Sequence, residues 1–348
     1  MNKKIRWGVL GSGGIAKRRT IPEGITQASN AVLTGVFDVN AEVNRAMAAE
    51  FGAAAAESVE ALLTSDIDAV YVATPVNVHY EQVLACARAG KHVLCEKPLG
   101  MTPREAEEMV TVCKKAGVQL VCAFMMRFHA QHQAALKLIE EGRLGKPVYG
   151  RAQLSCWYPA MPGAWRQDPI LGGGGSLIDM GGHCIDLLEM FFGPVKRVAC
   201  MINTSVQSYA SEDSAVALLY FENGAMGSVD AFFCIPDNSS KNILELYGSK
   251  GSILARGTIG QGAIGEMTAY LEGGDAGYDA QQARATADGL VIAPEPVNMY
   301  RAEIEAFSQD ILDKKIAAGG MDAGLRSQLI ITACYESART GRCIEIGT

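Results

Sequence analysis

The strongest constraint on this chain lies in its first forty residues. An apolar run, Ile5-Arg6-Trp7-Gly8-Val9-Leu10, leads straight into Gly11-Ser12-Gly13-Gly14-Ile15-Ala16. A strand that ends in G-x-G-x-x-A can turn tightly into a helix, because each small residue removes a steric obstacle. Gly11 permits the tight turn, Gly13 lets the backbone approach a pyrophosphate, and Ala16 lets helix pack closely on strand. The helix start, with Ser12, Gly14 and Ile15 around it, then offers free N–H groups to phosphate oxygens. A strand–helix turn with no ligand could use the same glycines, so the motif takes its weight from the residues downstream of it.

Those residues alternate in character. Residues 32–37, 67–73, 92–95 and 118–124 are further short apolar runs of strand character. Between them lie helix signals. Residues 41–50 are rich in Ala, Glu and Met, and residues 78–89 end at Gly90. Residues 103–116 start with Thr102 as N-cap and Pro103 at the first helical position, and stop at Gly117. Strands alternating with helices predict a parallel sheet with helices on both faces, an α/β doubly wound Rossmann domain over residues 1–124.

Asp38 ends the second run, 27 residues after Gly11. The usual spacing is about 20, so the first helix or its loop is expected to be long. A carboxylate here would accept hydrogen bonds from both ribose hydroxyls and repel a 2′-phosphate. It favours NAD(H) over NADP(H) without excluding the latter. Asp38 could instead cap the next helix. Asn40 is assigned to the cofactor beside it and is equally suited to be that cap.

Composition narrows the rest. A chain of 348 residues has room for two domains. Residues 1–123 hold 13 Lys/Arg against 13 Asp/Glu, whereas residues 124–348 hold 18 against 25. The acidic second part argues against nucleic acid and anionic membranes as partners and suits a neutral small molecule. No apolar run approaches the roughly 18–20 residues of a membrane span, and the N-terminus lacks a secretory apolar stretch, so a cytoplasmic location is expected. None of the ten cysteines forms a Cys-x-x-Cys pair. His129 and His132 would share a helix face but lack a third ligand, so no metal is expected. Neither Gly-x-Ser-x-Gly nor a Walker A sequence occurs.

The stretch Ile67 to Pro75, followed by His79, and then Ala89-Gly90-Lys91-His92-Val93-Leu94-Cys95-Glu96-Lys97-Pro98-Leu99, goes beyond a generic nucleotide fold. Trp165-Arg166-Gln167-Asp168-Pro169, the glycines 172–175 and Asp179-Met180-Gly181-Gly182-His183 form a second cluster. Gly248-Ser249-Lys250-Gly251 and the segment Tyr335 to Arg342 agree. Together these resemble the glucose–fructose oxidoreductase / inositol dehydrogenase (Gfo/Idh/MocA) family over nearly the whole chain.

The resemblance implies a second domain, residues 125–348, built on a large, open, mostly antiparallel sheet, with the C-terminal helix able to pack back on the first. Strand candidates at 147–157, 195–206, 213–222, 225–235 and 242–247, and helices at 298–315 and 322–339, permit it. It implies a homodimer or homotetramer formed through that sheet, and a cis Lys97–Pro98 peptide. The glycine-rich stretches 257–265 and 273–279 read as loops of no legible role.

It also implies an NAD(P)-dependent hydride transfer to or from a secondary alcohol of a sugar, sugar derivative or cyclitol. Lys97, Asp179 and His183 are the catalytic candidates. His183 would exchange the hydroxyl proton, Lys97 would polarise the oxygen, and Asp179 would orient the imidazole from one turn away. Thr74, Pro75, Asn77, His79 and Glu96 would edge the cofactor pocket. Arg127 would contact cofactor or substrate, or form a structural ion pair. Tyr158, Trp165 and Arg166 could line a sugar site, since an aromatic face suits the C–H side of a carbohydrate ring, or else be packing residues. Two alternatives stay open: a glycoside-cleaving enzyme with transient oxidation by bound NAD, and a non-catalytic, cofactor-sensing regulator.

Overall fold

The structure, a computed structural model, describes residues 3–272, 280, 288–315 and 320–347. The glycine-rich stretch 273–279 lies outside the described residues.

Six strands, β1 (Ile5–Leu10), β2 (Ala31–Phe37), β3 (Ala54–Ala55), β4 (Ala69–Val72), β5 (His92–Glu96) and β6 (Leu120–Ala123), form an all-parallel sheet in the order β3-β2-β1-β4-β5-β6. The order reverses at β1/β4, and ligands bind beyond the carboxyl ends of the strands at such a switch point. Period-two alternation splits the core in two. In β4, Ala69 and Tyr71 join Trp7, Val9 and Leu94 on one face, while Val70 and Val72 join Val93, Cys95 and Leu120 on the other. A strand buried on both faces reads as a continuous apolar run, which is why these strands stand out in the sequence.

The first crossover differs from a regular helix. Ala16–Ile25 winds as a π-helix with Pro22 inside it. This ten-residue winding and the segment 26–30 that follows it make up the long connection between the first turn and β2. The remaining helices follow their signals. Thr102 caps Pro103–Ala116 by accepting the Glu105 N–H at 3.2 Å, and Gly117 ends it at φ +68°.

Two segments from the far end of the chain complete this domain. Helix Met299–Asp313 lays Ile304 and Phe307 into the core beside Trp7, whose indole N–H donates to Ser308 Oγ at 3.1 Å. Ahead of and within helix Ala323–Thr340, Met321 and Leu325 pack against the opposite core.

The second sheet has nine strands: β7 (Pro147–Ser155), β8 (Val195–Asn203), β9 (Ser214–Phe221), β10 (Met226–Phe232), β11 (Ile243–Gly248), β12 (Gly251–Arg256), β13 (Glu266–Leu271), β14 (Leu290–Val291) and β15 (Ile344–Glu345). Their order is β14-β13-β12-β11-β7-β10-β9-β8-β15, with β7 and β10 parallel and every other pair antiparallel. The core lies on one face, where Leu187, Leu188 and Phe191 of helix Gly182–Phe192 meet Ala217, Val229 and Leu246. Alternate residues of β9, Val216 and Leu218, stand exposed on the other face, with Met201 and Met226 on neighbouring strands.

Candidate active site

A cleft of about 830 Å³ lies at the carboxyl ends of the parallel strands, between the two sheets. One end is built from the first turn. Gly11 sits at φ +80°, and a Cβ there would come 2.8 Å from the backbone of Ala73 and Thr74, so only glycine lets the β1 turn lie against the end of β4. Gly13, Gly14 and Ile15 line the cleft beside it, and the Gly13 N–H donates to Asp38 Oδ2 at 3.0 Å. The other Asp38 oxygen accepts the Asn40 N–H at 2.9 Å, leaving this carboxylate at the cleft wall with lone pairs to spare. A bare backbone cradle next to a carboxylate fits a dinucleotide pyrophosphate and its adjoining ribose. Thr74, Pro75 and Asn77 continue the wall, and the Thr74 hydroxyl donates to Gln82 Oε1 at 2.7 Å.

The other end is built from side chains. Lys97 Nζ donates to Asp179 Oδ1 at 2.7 Å and to the Asp179 carbonyl at 2.9 Å. Arg166 Nε donates to the same carboxylate oxygen at 2.9 Å, and its guanidinium lies 4.1 Å from the Trp165 ring centroid. Burial alone would push the Asp179 carboxyl up, but Arg166 and Lys97 outweigh it and hold the group well below the usual carboxylate range. Asp179 stands in a second π-wound turn, Leu177–Gly181. His183 comes at the start of the next helix, its ring edge-on to Phe124 at 6.1 Å. Its Nδ1 is buried without a protein partner among the described residues. Burial and then Lys97 push the imidazole well below its ordinary value, with Asp179 opposing, so it is neutral near pH 7. Tyr158, Trp165 and Glu96 also line the cleft. Glu96 accepts the Tyr71 hydroxyl at 2.5 Å, and burial raises its carboxyl. The Lys97–Pro98 peptide is cis.

Most sequence-derived candidates therefore meet in one cleft; four stand apart from it. Asn40 accepts the Glu42 and Val43 N–H groups and caps helix Ala41–Phe51. Ser12 is buried, with its hydroxyl unpartnered among the described residues. His79 is buried behind the wall, where its ring nitrogens lie 3.0 Å from the Pro98 carbonyl and 2.8 Å from the Thr74 carbonyl. It ties the loop after β4 to the loop after β5. Arg127 makes a two-pronged ion pair with buried Asp186, at 2.7 and 2.8 Å, and does not line the cleft. The expected Asp179–His183 hydrogen bond is absent among the described residues; the carboxylate goes to Lys97 and Arg166 instead, because two cations outbid one neutral imidazole.

Sequence reasoning missed Tyr300, Gly260 and Gln261, which also line the cleft. Gln261 belongs to the glycine-rich loop 257–265, and its carbonyl accepts Arg19 Nη2 at 2.8 Å, which ties this loop to the first helix. No local signal marks these residues, since they arrive from more than 200 positions downstream of the first turn.

A model of the oxidoreductase family with an NAD-binding Rossmann fold matches residues 5–124, and the GFO/IDH/MocA C-terminal domain model matches residues 132–254. The 1,5-anhydro-D-fructose reductase of Ensifer adhaerens is 32% identical over 99% of both chains. The D-xylose 1-dehydrogenase (NADP(+)) 2 of Haloferax volcanii is 30% identical over 98% of this chain and 99% of its own. Among solved structures, the aldose–aldose oxidoreductase of Caulobacter crescentus, complexed with glycerol, superposes with a TM-score of 0.87 at 27% identity, covering 99% of this chain and 100% of that one. The chain belongs to the Gfo/Idh/MocA family of oxidoreductases. It is an NAD(P)-dependent dehydrogenase or reductase acting on CH–OH groups.

Proposed function

We propose that this protein interconverts a secondary alcohol and a ketone on a sugar, sugar derivative or cyclitol, with NAD(H) as the favoured carrier. The carrying observation is the Lys97–Asp179–Arg166 ion cluster beside a neutral His183, at the far end of a cleft whose near end is a bare glycine turn. When bound, the nicotinamide accepts or supplies the hydride. Gly11, Gly13, Gly14 and Ile15 would hold the pyrophosphate, and Asp38 the ribose.

Two of the three Lys97 ammonium protons go to Asp179. The third is free to point at the substrate oxygen, where it stabilises developing alkoxide. The neutral His183 imidazole takes the hydroxyl proton in oxidation and returns it in reduction. Asp179, fixed by Arg166, holds the ammonium in place. The Trp165 and Tyr158 rings offer a face to the sugar's C–H side.

A second copy of the chain covers the open face of the nine-stranded sheet in this reading. Val216, Leu218, Met226 and Met201 are 41%, 58%, 53% and 82% exposed, more apolar surface than a solvated sheet face normally carries. We also place the protein in the reducing cytoplasm, with a small molecule and no nucleic acid or membrane as partner. All ten cysteines are unpaired, and no described helix is long and apolar enough to cross a membrane.

The test is a panel of aldoses, ketoses and cyclitols, 1,5-anhydro-D-fructose among them, assayed with NADH, NADPH and their oxidised forms. On whichever sugar reacts, Lys97→Met is expected to cut turnover about a thousandfold while NADH affinity stays at the wild-type level. Undiminished turnover in that variant would remove the site assignment. Glycoside cleavage without net cofactor turnover would move the protein to the transient-oxidation class.

A further inference from the structure

The π-wound turn that carries Asp179 is gripped by a buried carboxylate outside the cleft. Glu212, in the loop before β9, accepts the Gly175 N–H at 2.9 Å and the Leu177 N–H at 3.0 Å through its two carboxylate oxygens. Its carbonyl accepts the Ser176 N–H at 3.0 Å. Three successive donors that a helix start leaves unpaired therefore all go to one residue. The carboxylate is braced in turn by the Tyr335 hydroxyl of the last helix, at 2.8 Å. The link to the site is one peptide long: the Asp179 N–H donates to the carbonyl of Gly175, whose own N–H is held by Glu212.

The glycines between are fitted to this grip. A Cβ on Gly175 would run into the Glu212 backbone, and one on Gly174, at φ +155°, into the Tyr335 hydroxyl. The glycine run therefore serves a close approach of protein to protein.

The same loop also holds Asp179's other partner. The Ser211 N–H donates to the carbonyl of Gln167, next to Arg166, and Asp213 ties the loop down by accepting the Ser205, Val206 and Gln207 N–H groups. One anchored loop thus reaches the turns bearing both Arg166 and Asp179.

We propose that Glu212, braced by Tyr335, is a positioning residue that sets where Asp179 stands relative to Lys97, and through it the geometry of hydride transfer. This rests on the reading of Lys97 and Asp179 as the reacting end. The stretch from Gly175 to Asp179 is rigid only while all three N–H groups are bound. Glu212→Gln keeps the volume but turns one acceptor into an NH₂ donor, so the Gly175 or Leu177 N–H loses its partner. Tyr335→Phe removes the brace, together with the hydroxyl's own interactions with the Gly175 and Ile178 backbone, and leaves the Glu212 carboxylate in place.

The test needs both variants and Asp179→Asn. Crystal structures, which require no substrate, are expected to show the Lys97–Asp179 contact lengthened beyond hydrogen-bonding distance in Glu212→Gln. With 1,5-anhydro-D-fructose, or the panel sugar that reacts, kcat should fall at least about tenfold in Glu212→Gln and a few-fold in Tyr335→Phe, because a misplacement near one ångström costs up to about a hundredfold. KM and NADH affinity should hold. In the Asp179→Asn background, Glu212→Gln should have no further effect, which a merely structural role would not produce. Wild-type kcat with an unchanged contact in both variants overturns the inference, as does an equal loss in the Asp179→Asn background. Should Glu212→Gln fail to fold, Tyr335→Phe decides by the same readouts. Normal turnover in Asp179→Asn itself would overturn the reading of the site, and this inference with it.

Discussion

The two ends of the cleft are made in opposite ways. The dinucleotide end is main chain: a glycine turn, its N–H groups, and one carboxylate, drawn from a short stretch between Gly11 and Asp38. The end proposed to carry the reaction is side chains: Lys97 after β5, Arg166 in a loop turn, and Asp179 and His183 on one helical segment, brought together over more than 80 positions. A backbone cradle needs only small residues in the right order, so it is local and tolerant. An ion cluster needs distances held to fractions of an ångström, so it depends on the anchors behind it.

Arg127 tests where that division runs, because it was a candidate for either end and joins neither. Its guanidinium is spent on Asp186, which is almost fully buried. Arg127→Met would strand a buried carboxylate, and about 3–5 kcal/mol of stability should go with it, read as a lower urea midpoint. NADH affinity of the folded fraction should stay within about twofold. A loss of NADH affinity at unchanged stability would return Arg127 to the cleft and blur the division.

Asp38 tests the main-chain end. Asp38→Ser removes a charged acceptor from the Gly13 N–H and, in the proposed reading, from the cofactor ribose. Hydrogen bonds to charged groups contribute about 1.5–3 kcal/mol, so NADH affinity should fall roughly ten- to hundredfold while NADPH loses less or gains. Equal losses for both cofactors would mean that Asp38 holds the turn and does not discriminate between them.

How much of this was legible in the sequence tracks the same division. The parallel strands β1, β4, β5 and β6 stood out because they are buried on both faces, and the first turn because three glycines fall within four residues of a strand end. The Ala16–Ile25 segment was visible as excess spacing but not as π winding, since Pro22 alone does not specify how a helix is wound. The short strands β3, β14 and β15 carry two residues each and leave no periodicity to read. Lys97, Asp179 and His183 were located through family resemblance, and even so Asp179 was paired with His183, because helical spacing is a local rule. Its true partners Lys97 and Arg166 lie on other elements, and so do Glu212 and Tyr335 behind it.

Asn40 gives a smaller and purely local check. Its side chain caps helix Ala41–Phe51, so Asn40→Ala should cost about 1 kcal/mol of stability and leave NADH affinity unchanged. A fall in NADH affinity with stability intact would mean that the cradle extends past Asp38 into the next helix.

The smallest expected effect sits at the reacting end and concerns pH. His183 is buried and lies near Lys97 and Arg166, which disfavour its cation more than Asp179 supports it, so its folded value is well below 6.5. In the proposed mechanism the neutral ring is the base for oxidation. That activity is fully present above the folded value and is lost only as pH falls through it. Between pH 8 and 6.5, kcat/KM for oxidation should therefore change less than about twofold on account of this group, with the acid limb lying below that window. A limb centred at 6.5 or above would mean that the imidazolium is stabilised after all. Asp179 would then have to leave Lys97 and reach His183, and the ion cluster at the base of the comparison would not be the resting state of the site.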